Sequence, residues 1–214
     1  MLRLSFLLLS FNLITTAWGA CPLRDGDVVF IKSQTEQAKL LKLATGSEWS
    51  HVGMAFKKNQ KEWQIIEAVQ PVQWTSLYSF VRRSKNFHFE VKRATFDFDA
   101  KKVMSYAEEH LGKNYDLIFG WDNERWYCTE LVWKAYEKAS KEELGRLEQV
   151  GDLNVDDPRL MSEAARRFKQ YGMTFNAEEW KKTPVITPIQ MMKAENLQKV
   201  LDHKNIDELK DCLL

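Results

Sequence analysis

Hydrophobic and polar residues follow two different periods along this chain. Within residues 28–93, short apolar runs lie between turn residues, a pattern that predicts β-strands. The predicted strands are residues 28–31, 51–56 and 63–69, with further strands at 72–77 and 87–93. From Asp99 onward, apolar residues recur every three or four positions, which is typical of amphipathic helices.

The predicted helices fall mainly in the second half of the chain. One runs from a cap at Asp99 to a stop at Gly112, and Pro158 lies in the first turn of another, residues 158–171. The others are residues 36–44, a helix that begins at or near Cys128, residues 188–201, and a short helix or tether in 202–214. Strands followed by segregated helices predict an α+β fold, in which a small antiparallel sheet packs against helices.

The N-terminal residues have the pattern of a secretory signal peptide, residues 1–19. Arg3 precedes an apolar stretch over residues 4–14, and the small residues Ala17 and Gly19 suit cleavage after Gly19. We therefore expect an exported protein, periplasmic or secreted, in which residues 20–214 form a single domain. A membrane anchor is the competing interpretation, although the apolar stretch is short for a span.

The composition narrows the possible functions. With 31 basic and 30 acidic residues, the chain has a net charge of +1, which argues against nucleic-acid binding because that requires a concentrated basic patch. The adjacent Arg82 and Arg83 are interpreted as solvated loop charges. Cysteines and histidines are too few and too scattered to predict a zinc site, so no metal is expected.

The three cysteines allow several arrangements in an oxidising compartment. Cys21 and Cys212 stand at the two ends of the exported chain, and chain ends often lie close together. A disulfide between them would leave Cys128 as a free thiol. Two alternatives stay open, namely three separate thiols and acylation of Cys21 in a lipoprotein.

Cys128 is the candidate nucleophile. It lies in the run WYCTELVW at residues 126–133, and apolar residues then recur at helical spacing, so Cys128 begins a core helix. The free amides and the positive dipole end of a helix N-terminus favour a thiolate, which is the reactive form of cysteine. The alternative is a small buried hydrophobic residue, which is the common state of a free cysteine.

A cysteine nucleophile needs a base close to it and a third group that orients the base. Among the four histidines, His51 is best placed, because it starts a strand directly after a polar loop. Glu67 lies on the next predicted strand, from which an acid can reach the far ring nitrogen of His51. The other histidines are expected to be structural or solvated: His88, His110 and His203.

Three separate motifs resemble those of a known family. Residues 111–115 (LGKNY) and 127–132 (YCTELV) resemble the nucleophile region of the NlpC-type papain-like cysteine hydrolases. Residues 25–30 (DGDVVF) and 50–54 (SHVGM) precede them, so the histidine comes before the cysteine. This order is similar to the circularly permuted, YiiX-like branch, and the resemblance covers residues 25–139. It departs at Tyr-Cys-Thr-Glu, where the common form reads Asp-Cys-Ser-Gly, so substrate contacts beside the nucleophile are expected to differ.

The resemblance implies a papain-like fold in permuted order and a cysteine hydrolase activity. It implies Cys128 as the nucleophile, His51 as the general base and Glu67 as the group that orients the base. The reaction would pass through a thioester and need no cofactor. Tyr115 and Tyr127 are candidates for lining the substrate site, the alternative for both being ordinary packing.

The sequence leaves the substrate open. Export and the resemblance favour a cell-wall peptide or similar amide, with a lipid acyl hydrolase or acyltransferase as the alternative. A different class of function is a catalytically inactive binding module of the cell envelope. The expected partners are therefore a peptide or acyl-amide substrate and the envelope, while the oligomeric state is not predicted. Five tryptophans suit an apolar acyl pocket and an ordinary core equally: Trp49, Trp63, Trp74, Trp121 and Trp126.

Overall fold

A six-stranded antiparallel sheet forms the centre of the fold in a computed structural model that describes residues 21–59 and 62–213. The strands of the sheet are β1 (Asp27–Ser33), β2 (His51–Lys58), β3 (Glu62–Glu67), β4 (Gln73–Ser76), β5 (Ser84–Ala94) and β8 (Leu197–Asp202). They lie in the order β4-β3-β2-β1-β5-β8, and each pairs antiparallel with its neighbours. The short strands β6 (Glu148–Gln149) and β7 (Pro184–Val185) form a separate pair.

Eight helices surround the sheet in the part of the chain that the structure describes. They are α1 (Glu36–Thr45), α2 (Leu77–Arg82), α3 (Ala100–Glu108), α4 (Cys128–Ser140), α5 (Pro158–Gln170), α6 (Ala177–Trp180), α7 (Pro188–Met192) and α8 (Ile206–Leu213). None of these described helices combines the length and the apolar character that a bilayer span requires. The predicted signal peptide lies outside the described residues.

The two faces of the sheet bury two separate cores, because successive strand residues point to opposite sides. Val28 and Phe30 of β1 belong to the core that packs against α3 and α4. Val29 and Ile31 belong to the other core, which lies under α2 and α8. A third cluster joins Tyr127, directly before α4, to the segment that contains α5, α6 and β7.

The predicted α+β fold is confirmed, and most elements agree with the predicted ones to within a few residues. Asp99 caps α3 through its side chain, as expected, and Pro158 is the first residue of α5. The predicted strand at 72–77 stops at Ser76, because the Ser76 hydroxyl accepts the amide of Ser79 and starts α2.

The predicted helix over residues 188–201 is wrong. The helix α7 ends at Met192, and Leu197–Asp202 forms the edge strand β8 instead. Thr95 donates its amide to the carbonyl of Asn196, and β8 then pairs with β5. The apolar positions suit either period, so the free edge of β5 decides the structure.

A disulfide joins Cys21 to Cys212, 191 residues apart. The bond closes the chain at the face of the sheet that α8 covers, where Cys212 is buried. Of the arrangements left open by the sequence, the structure has the terminal pair, and Cys128 is the free cysteine. The Cys21 sulfur is used in this bond and is therefore not free for acylation.

Candidate active site

Cys128 is the first residue of α4, and its side chain is only 3% exposed. Tyr127 precedes it in an extended conformation, so the chain turns sharply into the helix at this point. The helix is held in place by its apolar face, on which Leu131, Val132 and Ala135 are buried in the core. The cysteine is thus fixed at a helix N-terminus, where backbone amides point toward a developing negative charge.

His51 and Glu67 meet across the β2–β3 pair. The pairing of Met54 with Ile66, continued by one residue in each strand, places Glu67 opposite Gly53 and diagonal to His51 on the same face. A Cβ atom at Gly53 would stand 3.2 Å from Glu67 Cβ and 2.4 Å from Ile65 Cγ2, so this position needs glycine. The His51 ring therefore reaches Glu67, and His51 Nε2 lies 2.5 Å from Glu67 Oε2.

Three further groups fix the carboxylate and the imidazole. Arg83 Nη2 donates to both oxygens of Glu67 at 2.7 and 2.6 Å, and the Thr75 hydroxyl donates to Oε1 at 2.6 Å. The ring of Phe80 lies 5.5 Å from the ring of His51, between centroids. The interpretation of Arg83 as a solvated loop charge is wrong, because the Ser76 cap starts α2 and the helix brings Arg83 back to Glu67. A serine directly before Leu77, at the position of a helix cap, was the signal for this turn.

Charge interactions raise the pKa of His51. Burial alone would lower it, but hydrogen bonds and charge interactions with Cys128 and Glu67 outweigh burial and raise the pKa to about 9. Since Glu67 occupies Nε2, the nitrogen left for Cys128 is Nδ1. Burial would raise the pKa of Glu67, but His51 and Arg83 lower it below its ordinary value. At pH 7 the site therefore holds an imidazolium beside the ionised carboxylate of Glu67.

Tyr115 and Tyr127, the two candidates for lining the substrate site, both lie beside Cys128. The Tyr115 side chain interacts with Cys128, and burial followed by the negative charge of Cys128 raises the pKa of Tyr115 well above its ordinary value. Tyr115 is thus a neutral phenol that can donate a hydrogen bond. Tyr127 is buried and packs its ring against Phe119, with centroids 5.2 Å apart. It forms part of the wall beside the nucleophile.

A buried hydrogen-bonded pair, Glu130 and Lys134, supports the start of α4. Glu130 accepts the backbone amide of Tyr127 at 3.3 Å, and Lys134 Nζ donates to Glu130 Oε1 at 2.6 Å. Lys134 also donates to the carbonyl of Asp122 at 2.7 Å. Burial, opposed by Lys134, raises the pKa of Glu130 to about 8. The pair ties the segment before Cys128 to the helix itself.

The site lies between two cavities of different character. The first, which we call the apolar channel, starts at Cys128 and is lined mainly by aliphatic and aromatic side chains. They include Leu40, Leu41, Ile118, Phe119, Val150, Leu153, Val155, Leu160, Trp180 and Val185. The second, which we call the polar cleft, contains His51, Gln70, Arg83, Asn114 and Arg125. Tyr115 lines both and stands at their junction.

The five tryptophans considered for an apolar pocket are not in the lining of the apolar channel. Trp126 is fully buried under His110, with ring centroids 4.0 Å apart, and Trp63 lies in the core beneath α2. The remaining three pack against the larger core: Trp49, Trp74 and Trp121. The channel is built instead largely from the third cluster, whose position beside Cys128 no local sequence pattern indicates.

Comparison with known proteins identifies the family of this chain. Residues 22–201 match the family of permuted papain-like amidase enzymes, YaeF/YiiX. The YiiX protein of Escherichia coli is 30% identical over 201 residues, which cover 92% of this chain and 94% of that protein. A crystal structure described as the metalloprotein YiiX from Escherichia coli has a TM-score of 0.74 at 28% identity, and covers 84% of this chain and 97% of that one.

That relative is called a metalloprotein, but the described residues of this chain show no corresponding metal site. Among them, no group of three or more His, Cys, Asp and Glu side chains is placed to hold a metal ion.

Proposed function

Since the chain belongs to the YaeF/YiiX family of permuted papain-like amidases and is a cysteine hydrolase, we propose that it cleaves an amide that bears an apolar acyl group, through Cys128, His51 and Glu67. The observation behind this proposal is the position of Cys128. Its side chain is hydrogen-bonded to His51, and Cys128 also lines the apolar channel. The acyl part of the substrate would lie in the channel and the amine part in the polar cleft.

The reaction begins from an imidazolium at His51 and a thiolate at Cys128. The thiolate attacks the amide carbon, and the carbonyl oxygen becomes an oxyanion. The backbone amide of Cys128 and the hydroxyl of Tyr115 are the donors that would stabilise this oxyanion. His51 then gives its proton to the leaving nitrogen, and the amine departs into the cleft.

A thioester between the acyl group and Cys128 remains after the amine leaves. A water molecule then enters, His51 removes its proton, and the hydroxide attacks the thioester carbon. The acid is released and the thiolate forms again. Glu67 keeps the His51 ring oriented through both steps, because Arg83 and Thr75 hold the carboxylate in one position.

The channel favours an acyl group over the polar cell-wall peptide expected from the sequence. Its lining is mostly aliphatic or aromatic, and each buried methylene of a ligand contributes about 0.8 kcal/mol. A polar peptide would lose its hydration there without finding enough partners. If an alcohol or amine replaces water at the thioester, the same site would act as an acyltransferase.

Intact-mass measurement of a trapped thioester tests the proposal. The protein would be mixed with a long-chain N-acyl amide and with the matching N-acetyl amide, and quenched in acid. We expect an acyl adduct on Cys128 and faster turnover for the long-chain substrate, with both lost in Cys128→Ala. Equal turnover in Cys128→Ala, or a preference for the acetyl compound, would reject the proposal.

We also propose that the protein is exported to the periplasm or secreted. The signal-peptide pattern of residues 1–19 supports this, as does the Cys21–Cys212 disulfide, since such bonds persist in oxidising compartments. Fractionation of cells that express the full chain, followed by N-terminal sequencing, should find a mature protein that begins at Ala20. A product that starts at Met1 in the cytoplasmic fraction would contradict it.

A further inference from the structure

The polar cleft beside His51 has basic side chains in its lining and no acidic one among the residues described. Arg83 and Arg125 are its two arginines, and Gln70 and Asn114 supply amides. Gln70 Nε2 donates to Asn114 Oδ1 at 2.7 Å, and Gln70 Oε1 accepts the amide of Tyr115 at 2.7 Å. These hydrogen bonds hold the two amide side chains in the lining of the cleft, next to its two arginines.

Arg125 differs from Arg83 in how its charge is balanced. It forms no ion pair with any described residue, whereas Arg83 is paired with Glu67. Asp122 accepts the backbone amides of Glu124 and Arg125. Asp116 accepts the amide of Ile118 and interacts with Arg125 through its charge, but forms no ion pair with it. Arg125 is partly exposed in the cleft, so its guanidinium is available to pair with an anionic group of a ligand.

The surroundings of Arg125 hold its guanidinium in place for such a contact. Its central carbon lies 4.2 Å from the ring centroid of Tyr171, which leaves the in-plane N–H groups free to donate. The Nε atoms of Arg125 and Arg83 are both buried and find no acceptor among the described residues. Tyr171 is itself anchored, since its hydroxyl donates to the carbonyl of Tyr115 at 3.2 Å.

We infer that the polar cleft binds an anionic group, a carboxylate or a phosphate, on the amine side of the scissile bond, with Arg125 as its main partner. This inference rests on the proposed function and names its substrate class: an apolar acyl group joined through an amide to an acidic part. The carboxylate would come from an acylated amino acid, and the phosphate from an acylated lipid headgroup. Planar guanidinium groups bind both anions with two parallel hydrogen bonds.

Alkylation of Cys128 by a charged and a neutral reagent tests the anion site without any substrate. Iodoacetate is anionic and iodoacetamide is neutral, and both place a carbon on the same sulfur. The measured quantity is the iodoacetate rate divided by the iodoacetamide rate, normalised to the same ratio for a small free thiol. We expect this ratio to fall about threefold to tenfold in Arg125→Gln and to recover partly in Arg125→Lys. High salt should reduce the wild-type ratio in the same direction.

Arg82→Gln is the matched control. Arg82 is an exposed arginine that precedes Arg83 in the chain but is not in the cleft lining, so the same loss of charge there should leave the ratio unchanged. An equal fall in both variants, or no fall in Arg125→Gln, would overturn the inference. No labelling by either reagent would overturn both the inference and the proposed function.

Paired substrates then separate the carboxylate from the phosphate and the inference from the proposed function. The pairs are N-decanoylglycine with its glycinamide, and N-decanoylethanolamine phosphate with N-decanoylethanolamine. We expect one anionic member to be cleaved faster than its neutral partner, with a preference that Arg125→Gln removes. Cleavage without preference would overturn the anion site alone. No cleavage, with an Arg125-dependent alkylation ratio, would overturn the amide hydrolase alone.

Discussion

His51 decides the protonation chemistry of the site because Cys128 and Glu67 both interact with its ring. Its pKa is raised from 6.5 to about 9 despite burial, so the shift also affects stability. A folded-state pKa above the unfolded one adds stability that is complete below pH 6.5 and is lost as the pH rises through about 9. The upper bound of this contribution is about 3 kcal/mol.

We expect kcat/KM to fall as the pH rises through about 9, because the leaving amine then finds no proton on His51. In Glu67→Gln, this alkaline limb should move to lower pH, because the negative charge of Glu67 raises the His51 pKa. A pH–rate profile measures the shift. Glu62→Gln, an exposed position on the same strand, is the control and should keep the wild-type profile. Identical profiles for Glu67→Gln and wild type would contradict the assigned pair.

Removal of the base gives a second prediction at a single residue. His51→Ala should lower turnover by roughly 10²–10⁴-fold, the usual contribution of a general base, and slow the alkylation of Cys128 by iodoacetamide. Far-UV circular dichroism should remain that of the wild type. His88→Ala is the control and should change neither rate, because His88 lies on β5, which β1 separates from the strand of His51. Unchanged labelling of His51→Ala would mean that another group activates the thiol.

Among the elements, α4 depends on its first turn for the position of the nucleophile. Glu130 links the amide before Cys128 to Lys134, and both side chains are largely shielded from water. Removal of one partner leaves a buried charge and an unpaired amide, which is more costly than the loss of a surface pair.

Glu130→Ala should therefore lower the free energy of unfolding by about 3 kcal/mol, as seen when buried ion pairs lose one member. Glu137→Ala on the same helix is the control. Glu137 is partly exposed and lies 3.9 Å from Lys141, so a loss below about 1 kcal/mol is expected there. Urea titration of both variants gives the comparison, and equal losses would argue against a special role for the first turn.

The elements also show what the sequence could and could not predict. Local signals sufficed for α3 and α5, whose caps at Asp99 and Asp157 lie directly before the helix. They failed for β8, because residues 197–202 become a strand only through the edge of β5, about a hundred residues away in the chain. The local pattern of one segment does not show that a distant strand has a free edge with which the segment can pair.

Some residues of the candidate site could be predicted from the sequence, and others could not. Cys128, His51 and Glu67 could be named because each sits at a recognisable place in its own element. Arg83 and Arg125 could not, since their roles come from the turn into α2 and from the cleft that Tyr171 completes. The apolar channel was missed for the same reason, because its walls come from segments that meet only in the folded protein.

At the scale of the whole molecule, the Cys21–Cys212 bond links the first described residue to the last helix. Denatured protein kept from reducing agents should expose one thiol per chain, Cys128, and the full three after reduction. Thiol titration with and without a reductant distinguishes these states. Three thiols before reduction would contradict the bond.

Loss of the bond should lower stability more than activity. Replacement of both Cys21 and Cys212 by serine is expected to cost about 2–5 kcal/mol, mainly by freeing the unfolded chain. The His51–Glu67 contact is in the sheet and does not involve either terminus, so alkylation of Cys128 at low temperature should persist. A double variant that folds fully but no longer reacts would show that the bond shapes the site.

Because its two ends are tied, the polypeptide from residue 21 to residue 212 is a closed ring. A protease that cuts one exposed peptide bond, such as one near Lys141 after α4, would open the ring without releasing a fragment. The nicked protein would migrate as one piece in a gel until a reductant separated its halves. A single proteolytic cut would therefore leave the segments that carry His51, Glu67 and Cys128 covalently joined.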